Sequence, residues 1–392
     1  MRARNMGLLP SEHDQRASGP ATPAVIEGDR LSSIRPCEPA DLSRVAALFE
    51  KTFRRGNRSD TAALTTYLHS LLFEQPGHDA DITSQVSIAG NGELIGFICI
   101  LPVRMSLGER SVRAALAGSL MVDEPQKYPL AGAGLLRSFI KGPQELSFSE
   151  TSNEISLRMW EALKGSIAPL FSLEWIRLLR PAGAALAFLR DAMPAAGVLR
   201  PLASPADYLL RTVTGPAALN RVDAAIEDVA ADDPALSSLI IRLAGQYRLA
   251  PQWSPEYLRW LFSLAGEKER YGPLICKIAR DRRGREAGCF LYYARPGGVA
   301  FVLQLLAEAR EAGQVVDALL ADAHARGCVA LRGRLQPELI GPLQLRNCFF
   351  VNRSSLTYKT KDADILAAIR NGDALLTGLS GESWTRLIGG FA

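Results

Sequence analysis

The stretch that decides the fold is Ala117–Phe139, AGSLMVDEPQKYPLAGAGLLRSF. Apolar residues lead up to Asp123 and Pro125, then come Lys127, Tyr128 and Pro129. The small residues Ala131, Gly132, Ala133 and Gly134 open an apolar segment that runs to Phe139. The spacing predicts a strand over 113–123, a turn, and a helix over 130–140. A strand that passes through a small-residue turn into a helix leaves the first helical N–H groups without intrahelical partners. With the helix dipole, those groups make a place for an anion. Small side chains let a phosphate approach the backbone, and Lys127 supplies a nearby cation. No Lys-Ser/Thr pair follows the glycines and no GxGxxG is present, so a nucleoside triphosphate loop and a dinucleotide fingerprint are both excluded.

Outward from this turn, the N-terminal side reads as a short strand at Ser33–Arg35, then a helix carrying Leu42, Val45, Leu48 and Phe49. A second helix is expected near Thr61–Phe73, followed by a hairpin over 85–106 turning at Gly90-Asn91-Gly92. On the C-terminal side come a strand over 145–152, a helix over 153–163 and a closing strand in Ser172–Pro181. After an Ala- and Pro-rich bridge the same order returns. Helices are expected at Pro234–Arg248 and Ser254–Ala265, and a hairpin over 272–298 has DRRGR at its tip. Then follow a strand at 299–307, a helix at 315–327, a strand at 328–335, a helix at 337–347, one strand over 348–360 and a terminal helix within 364–384. The pattern is an internal duplication of an α/β unit, each copy a mixed, mostly antiparallel sheet flanked by helices. The expected division is a disordered lead-in at 1–32, a first domain at 33–181, a linker at 182–205 and a second domain at 206–392.

Composition narrows the function classes. The chain has 392 residues, 47% of them hydrophobic and 22% charged, with a net charge of +4. That charge lacks the concentrated basic face of a nucleic-acid binder. No apolar run approaches the ~20 residues a membrane helix needs. The six cysteines form no CxxC pair and sit mostly in strand-like apolar contexts, which predicts buried thiols and a reducing cytoplasm. The four histidines offer no plausible catalytic or metal-binding grouping with carboxylates, so neither a metal site nor Ser-His-Asp chemistry is expected.

The layout of Ser119–Phe139 resembles the Gcn5-related N-acetyltransferase (GNAT) superfamily. That family has a strand ending in an apolar-Val-Asp/His-Pro-type segment, a loop that cradles the coenzyme A pyrophosphate, and then a helix. FSETSNEISLRMWEALKGS is similar to the family's next strand and Asn-initiated helix, closing at Trp160 and Gly165, and LIGFICILP to its second and third strands. The resemblance covers roughly Ile34–Pro181. Tyr128 stands where the family carries a loop Arg or Gln, and Pro129 replaces a glycine and removes one backbone donor. In the second copy REAGQVV has one glycine and no small-residue run, a degenerate donor loop.

The resemblance implies an acyltransferase that uses acetyl-coenzyme A or another acyl-coenzyme A as co-substrate, without a metal. Met121, Val122, Lys127, Leu130, Ala131, Gly132, Ala133, Gly134 and Asn153 would bind it, with the Val122 N–H polarising the thioester carbonyl. Acyl transfer to an amine needs a base, and an acid near the leaving thiolate helps. Glu124 and Glu150 are the base candidates and Tyr128 the acid candidate. Asn153 with Ser152 also reads as a helix cap, Trp160 as core, and Trp253, Tyr257 and Trp260 as a buried helical stripe. Arg282, Arg283 and Arg285 occupy a hairpin tip, while Arg332, Arg334 and Arg346 are candidates for an anionic acceptor. The acceptor implied is an amine of a small metabolite or amino sugar. The terminal segment resembles the tail of GNAT-like proteins from cell-envelope polysaccharide loci. The rival is a GNAT-fold scaffold that has lost coenzyme A; Tyr128 and Pro129 favour it, whereas Ala131–Gly134 favours the enzyme.

Overall fold

The computed structural model describes residues 32–53, 61–192 and 224–390. The expected lead-in, and the part of the expected linker beyond 192, lie outside the described residues. The first half comprises β1 (Ser33–Pro36), α1 (Leu42–Phe53), α2 (Thr61–Phe73), β2 (Gln85–Ile88), β3 (Leu94–Leu107), β4 (Arg110–Val122), α3 (Ala131–Ile140), β5 (Leu146–Ser152), α4 (Glu154–Ala162), β6 (Ser166–Ile167), β7 (Leu173–Leu178) and α5 (Pro181–Ala192). The second comprises β8 (Ala225–Val229), α6 (Pro234–Ala244), β9 (Leu249–Pro251), α7 (Pro255–Ala265), β10 (Leu274–Arg280), β11 (Glu286–Tyr293), β12 (Val299–Ala307), α8 (Ala312–Ala325), β13 (Ala330–Arg334), α9 (Ile340–Gln344), β14 (Phe349–Asn352), β15 (Ser355–Thr360) and α10 (Ala363–Arg370).

Two mixed sheets result, each mostly antiparallel with one parallel pair, as the repeated pattern predicts. The first runs β1-β2-β3-β4-β5-β15-β6, with β9 added on β3; the second runs β14-β7-β13-β12-β11-β10-β8. β4 pairs β5 in parallel and β12 pairs β13 in parallel. β3 is buried along nearly its whole length because helices cover both faces of the sheet. On one face α3 lays Leu135, Leu136 and Phe139 against the strands, with Trp160 of α4 edge-on to Phe139 at 6.1 Å. On the other face α1 and α2 join the largest core cluster, which continues through α6 and α7 into the second half.

The halves exchange strands reciprocally. β7, expected to close the first copy, pairs with β13 and β14 in the second sheet. The expected single strand over 348–360 is two: β14 stays in the second sheet and β15 crosses to pair with β5 and β6 in the first. A cut at residue 181 therefore places β7 with the first half by sequence and with the second by hydrogen bonding. Residues 182–192, expected in a linker, are helical in α5.

The expected terminal helix over 364–384 stops at Arg370. Beyond it the chain is irregular yet buried from Ala374 to Thr385. Glycines explain the change: Gly372 and Gly378 have φ of 75° and 70°, which a helix does not accommodate. A Cβ on Gly378 would sit 2.3 Å from the Leu303 carbonyl oxygen, so the strand-hugging path needs glycine there. A buried irregular segment requires partners for its backbone. Glu150, Gln304 and Lys268 provide them, as described below.

Candidate active site

β4 and β5 stay paired only from Ala114↔Leu146 to Leu116↔Phe148 and then part. At the parting, β4 carries a bulge: Phe97 pairs Met121 and Cys99 pairs Gly118, so Ser119 and Leu120 face the single residue Ile98. Ser119 has φ of 44°, a left-handed conformation that a non-glycine residue adopts at a cost. The bulge ends the regular ladder and lets the strands splay. A cavity of about 850 Å³ opens there, lined by Gly118–Leu120 of β4, Thr151 of β5, Asn153 and Trp160 from the α4 side, and Glu382. Leu387–Gly389 and, from the second half, Glu269, Arg270 and Arg295 also line it.

Glu382 is the carboxylate at the heart of this cleft. It is 4% exposed, and its side chain accepts hydrogen bonds from the Thr151 N–H at 3.0 Å and from the Thr151 hydroxyl. Gly118 makes room for it: a Cβ there would fall 2.2 Å from Glu382 Oε2. Burial pushes the Glu382 carboxyl up to about 7, Thr151 opposes the rise, and the neighbouring Glu150 carboxylate adds to it. A carboxylate titrating near neutrality in a cleft is matched to accepting a proton from an amine.

Glu150 does different work from the one expected of it. It is fully buried, and its carboxylate accepts the N–H groups of Gly378 at 3.0 Å, Glu382 at 2.8 Å and Ser383 at 2.9 Å. Those bonds place the segment that presents Glu382. Lys268 anchors the same segment further on. With no exposed surface, its ammonium donates to the carbonyl oxygens of Thr385 and Ile388, both at 2.6 Å. Burial pulls Lys268 down to about 7, while the Glu150 charge pulls the other way.

Glu124 is 54% exposed and lies outside the cavity lining, 3.7 Å from Lys51 and 3.9 Å from Lys127. Tyr128 is 5% exposed and packs with Ala89, Ile95 and Ala131 beneath the turn, and Lys127 lies over its ring at 5.0 Å. Tyr128 thus braces the loop and points its ring into a small core. Met121 faces the main core, and Val122 pairs with Gly96 and touches the position a Gly132 Cβ would take at 3.2 Å. Leu130 stands 64% exposed at the start of α3, Ala131 and Gly132 are buried, Ala133 and Gly134 half-buried. The N-cap residue of α3, Leu130, has no side-chain oxygen with which to cap it. Asn153 caps α4, accepting from the Ser156 N–H at 2.9 Å, and lines the cavity as well. The cavity thus brings together Asn153 and Trp160 with Glu382, which the sequence reading missed; the turn residues and Glu124 lie beyond its lining.

The tandem arginines expected near an acceptor are engaged elsewhere. Arg332 pairs with Glu174 at 2.8 Å, Arg346 with Asp317 at 2.5 Å, and Arg334 donates to the Glu150 carbonyl at 2.5 Å. At the hairpin tip Arg285 pairs with Asp281 at 2.7 Å. Trp260 and Trp384 meet edge-on at 5.5 Å, so the stripe on α7 packs against the C-terminal segment and α2.

A bulged strand, a parallel neighbour that splays from it, and a small-residue turn into a helix recur in one known architecture. The chain has the fold of the GCN5-related N-acetyltransferases. A GCN5-related N-acetyltransferase from Anabaena variabilis superposes with a TM-score of 0.57 at 11% identity, covering 84% of this chain and 73% of that one. One from Kribbella flavida gives 0.51 at 15% identity, covering 86% and 73%. A conserved protein from Enterococcus faecalis gives 0.54 at 8% identity, covering 84% and 72%. No family model matches the sequence, and no curated protein matches it. The resemblance lies in the path of the backbone, and the GCN5-related fold extends over both halves. Among the described residues, no helix is long and apolar enough to cross a membrane.

Proposed function

We propose that the chain is an N-acyltransferase that takes an acyl group from an acyl-coenzyme A and passes it to an amine, with Glu382 as general base. The carrying observation is the Glu382 carboxyl, raised to about 7 and lining the cleft where β4 and β5 part. The strands flanking the cleft accept an extended arm, because β4 has left β5 and its backbone is no longer committed to that neighbour. The N-terminal turn of α3, built from small residues, and Lys127 a few residues before it suit the phosphates of the carrier.

The thioester supplies an activated acyl carbon. Glu382 removes a proton from the incoming ammonium, freeing the nitrogen lone pair to bond to that carbon. The carbon–sulfur bond breaks, and the departing thiolate takes up the second proton that the nitrogen sheds as the amide forms. The oxygen charge that develops is met by backbone donors at the Ser119–Leu120 bulge, held in place before the reaction begins. The cleft's size suits a small amine or amino sugar as acceptor. Acyl-coenzyme A chemistry of this kind belongs in the cytoplasm.

Two measurements test the proposal together. Acetyl-coenzyme A at 100-fold its Kd adds about 2.7 kcal/mol of stability to the protein that binds it. Glu382→Gln keeps that thermal shift and loses thiol release. No shift at millimolar ligand would instead favour the scaffold, the reading that Pro129 and the buried Tyr128 support.

A further inference from the structure

Successive residues of a strand point to opposite faces of its sheet. Yet Ala117, Gly118, Ser119 and Leu120 are consecutive in β4, and all four line the cavity. The bulge permits this, because Ser119 and Leu120 face Ile98 together and the left-handed φ of Ser119, 44°, breaks the alternation. A glycine would take that φ freely, whereas a serine takes it at a cost. The position therefore holds a hydroxyl in a strained setting, and strain of this kind gathers at sites that use it. Other hydroxyls of the cavity are committed: Thr151 donates to Glu382, and Ser152 shares a hydrogen bond with Thr357 at 2.8 Å. Those of Ser119, Ser149 and Ser156 make no hydrogen bond among the described residues. Of these three, Ser149 lies on β5 and Ser156 on α4, while Ser119 sits in the bulge itself. It also follows Gly118, the residue whose added Cβ would fall 2.2 Å from Glu382 Oε2. A hydroxyl without a partner can donate one hydrogen bond and accept another at the same moment.

We infer that Ser119 is a further catalytic residue, whose hydroxyl carries a proton from the reacting nitrogen to the departing sulfur. The inference rests on the acyl-transfer reading above. Glu382 takes the first proton from the ammonium, and the nitrogen lone pair then bonds to the acyl carbon. The nitrogen now carries one proton more than the amide keeps. Ser119 Oγ accepts that proton and gives its own to the sulfur, which leaves with the electron pair of the carbon–sulfur bond. Amide and thiol are the products, and the serine ends as it began. Thr151 cannot serve in this way while its proton is held by Glu382.

Two variants separate the hydroxyl from the backbone that holds it. Ser119→Ala removes the hydroxyl and keeps a side chain at the left-handed position; Ser119→Gly removes the hydroxyl and the strain together. Thiol release from acetyl-coenzyme A is followed with ethanolamine and with glucosamine as acceptors. Calorimetry gives acetyl-coenzyme A binding, and melts give stability. We expect kcat to fall by about 10²-fold in both variants, with acetyl-coenzyme A binding retained. The thermal midpoint should hold in Ser119→Ala and hold or rise in Ser119→Gly, so the loss of rate does not follow stability. Parental kcat in both variants would overturn the inference and leave acyl transfer standing. A loss in Ser119→Ala that Ser119→Gly restores would assign the effect to backbone shape, and would overturn it as well. No thiol release from the parent with either amine would remove the acyl-transfer reading and this inference together.

Discussion

The cleft between β4 and β5 and the corresponding one between β12 and β13 began as the same structural idea and now do opposite things. Each is a parallel pair that parts near its middle, β12 and β13 after Val302↔Gly333. In the first, the strands enclose an open cavity whose inner wall is Glu382. In the second, the chain fills its own cleft: the Leu379 N–H bonds Gln304 Oε1 at 3.0 Å, and Gly378 lies against Leu303. The helix starts differ likewise. α3 opens on the small residues Ala131–Gly134, whereas the start of α8 is flanked by Glu308 and Glu311, and a Cβ added at Gly313 would lie 3.0 Å from the Arg346 guanidinium. One C-terminal segment serves both clefts, stopping the second and supplying the first with a carboxylate. One cleft thus stays open, and the other is filled by the C-terminal segment.

The largest effect expected from breaking this division is at Glu382. Glu382→Gln should lower kcat by about 10²–10⁴-fold with acyl-coenzyme A binding retained, measured by thiol release and calorimetry. In the parent protein, kcat should rise with pH through about 7, because the base works only when deprotonated. Glu150→Gln removes a neighbouring negative charge that helps raise Glu382, so the acid limb should move to lower pH. Stability carries the matching sign. The folded chain holds a proton on Glu382 that the unfolded chain releases near ~4.3, so this group's contribution is lost as pH rises from there to about 7. Glu382→Gln should flatten that slope in thermal melts between pH 5 and 7.

Lys268→Met tests the anchor. It leaves the carbonyls of Thr385 and Ile388 without their donor, a loss of about 1–3 kcal/mol for each buried group stranded. Thiol release should fall further than the thermal midpoint alone explains, because a small displacement of Glu382 misplaces the base. Leu130→Asp comes next. A negative charge at the opening of α3 should weaken acetyl-coenzyme A binding by about tenfold. The thermal midpoint should hold or rise, since an acidic residue there favours the helix by ~0.3–1 kcal/mol. The smallest effect is expected in the second half. Glu308→Ala/Glu311→Ala removes acidic groups near α8 but leaves Gly378 and Leu379 in place, so calorimetry should still give one equivalent of acyl-coenzyme A. Two equivalents would mean that side-chain charge, and not the filled cleft, separates the halves.

How much was legible depended on the range of the interactions. The strand, turn and helix at 113–140, the hairpin over 85–106 and the repeated order of elements follow from local periodicity and turn residues, and they are present. The carboxylate proposed as base was hidden because its environment is assembled from three distant places: Gly118, Thr151 and Glu382 itself. A visible signal existed in TGLSGES, 377–383, where small and polar residues interrupt an otherwise helical pattern around one glutamate. Glu150 was picked out for its position on the strand beside the cleft. Nothing local could show that backbone N–H groups more than 200 residues away would occupy its oxygens.

By itself the sequence determined the two-copy α/β architecture, the small-residue turn before α3 and the loss of that turn in the second copy. Each of these is written in residues close together along the chain, as apolar spacing, glycines or their absence. Only the tertiary structure decided that β7 and β15 change sheets, that residues 374–385 run buried, and that Glu382 faces the cleft. Strand partners and burial are set by contacts between distant segments. A carboxyl's proton affinity follows from that burial and not from its neighbours in sequence.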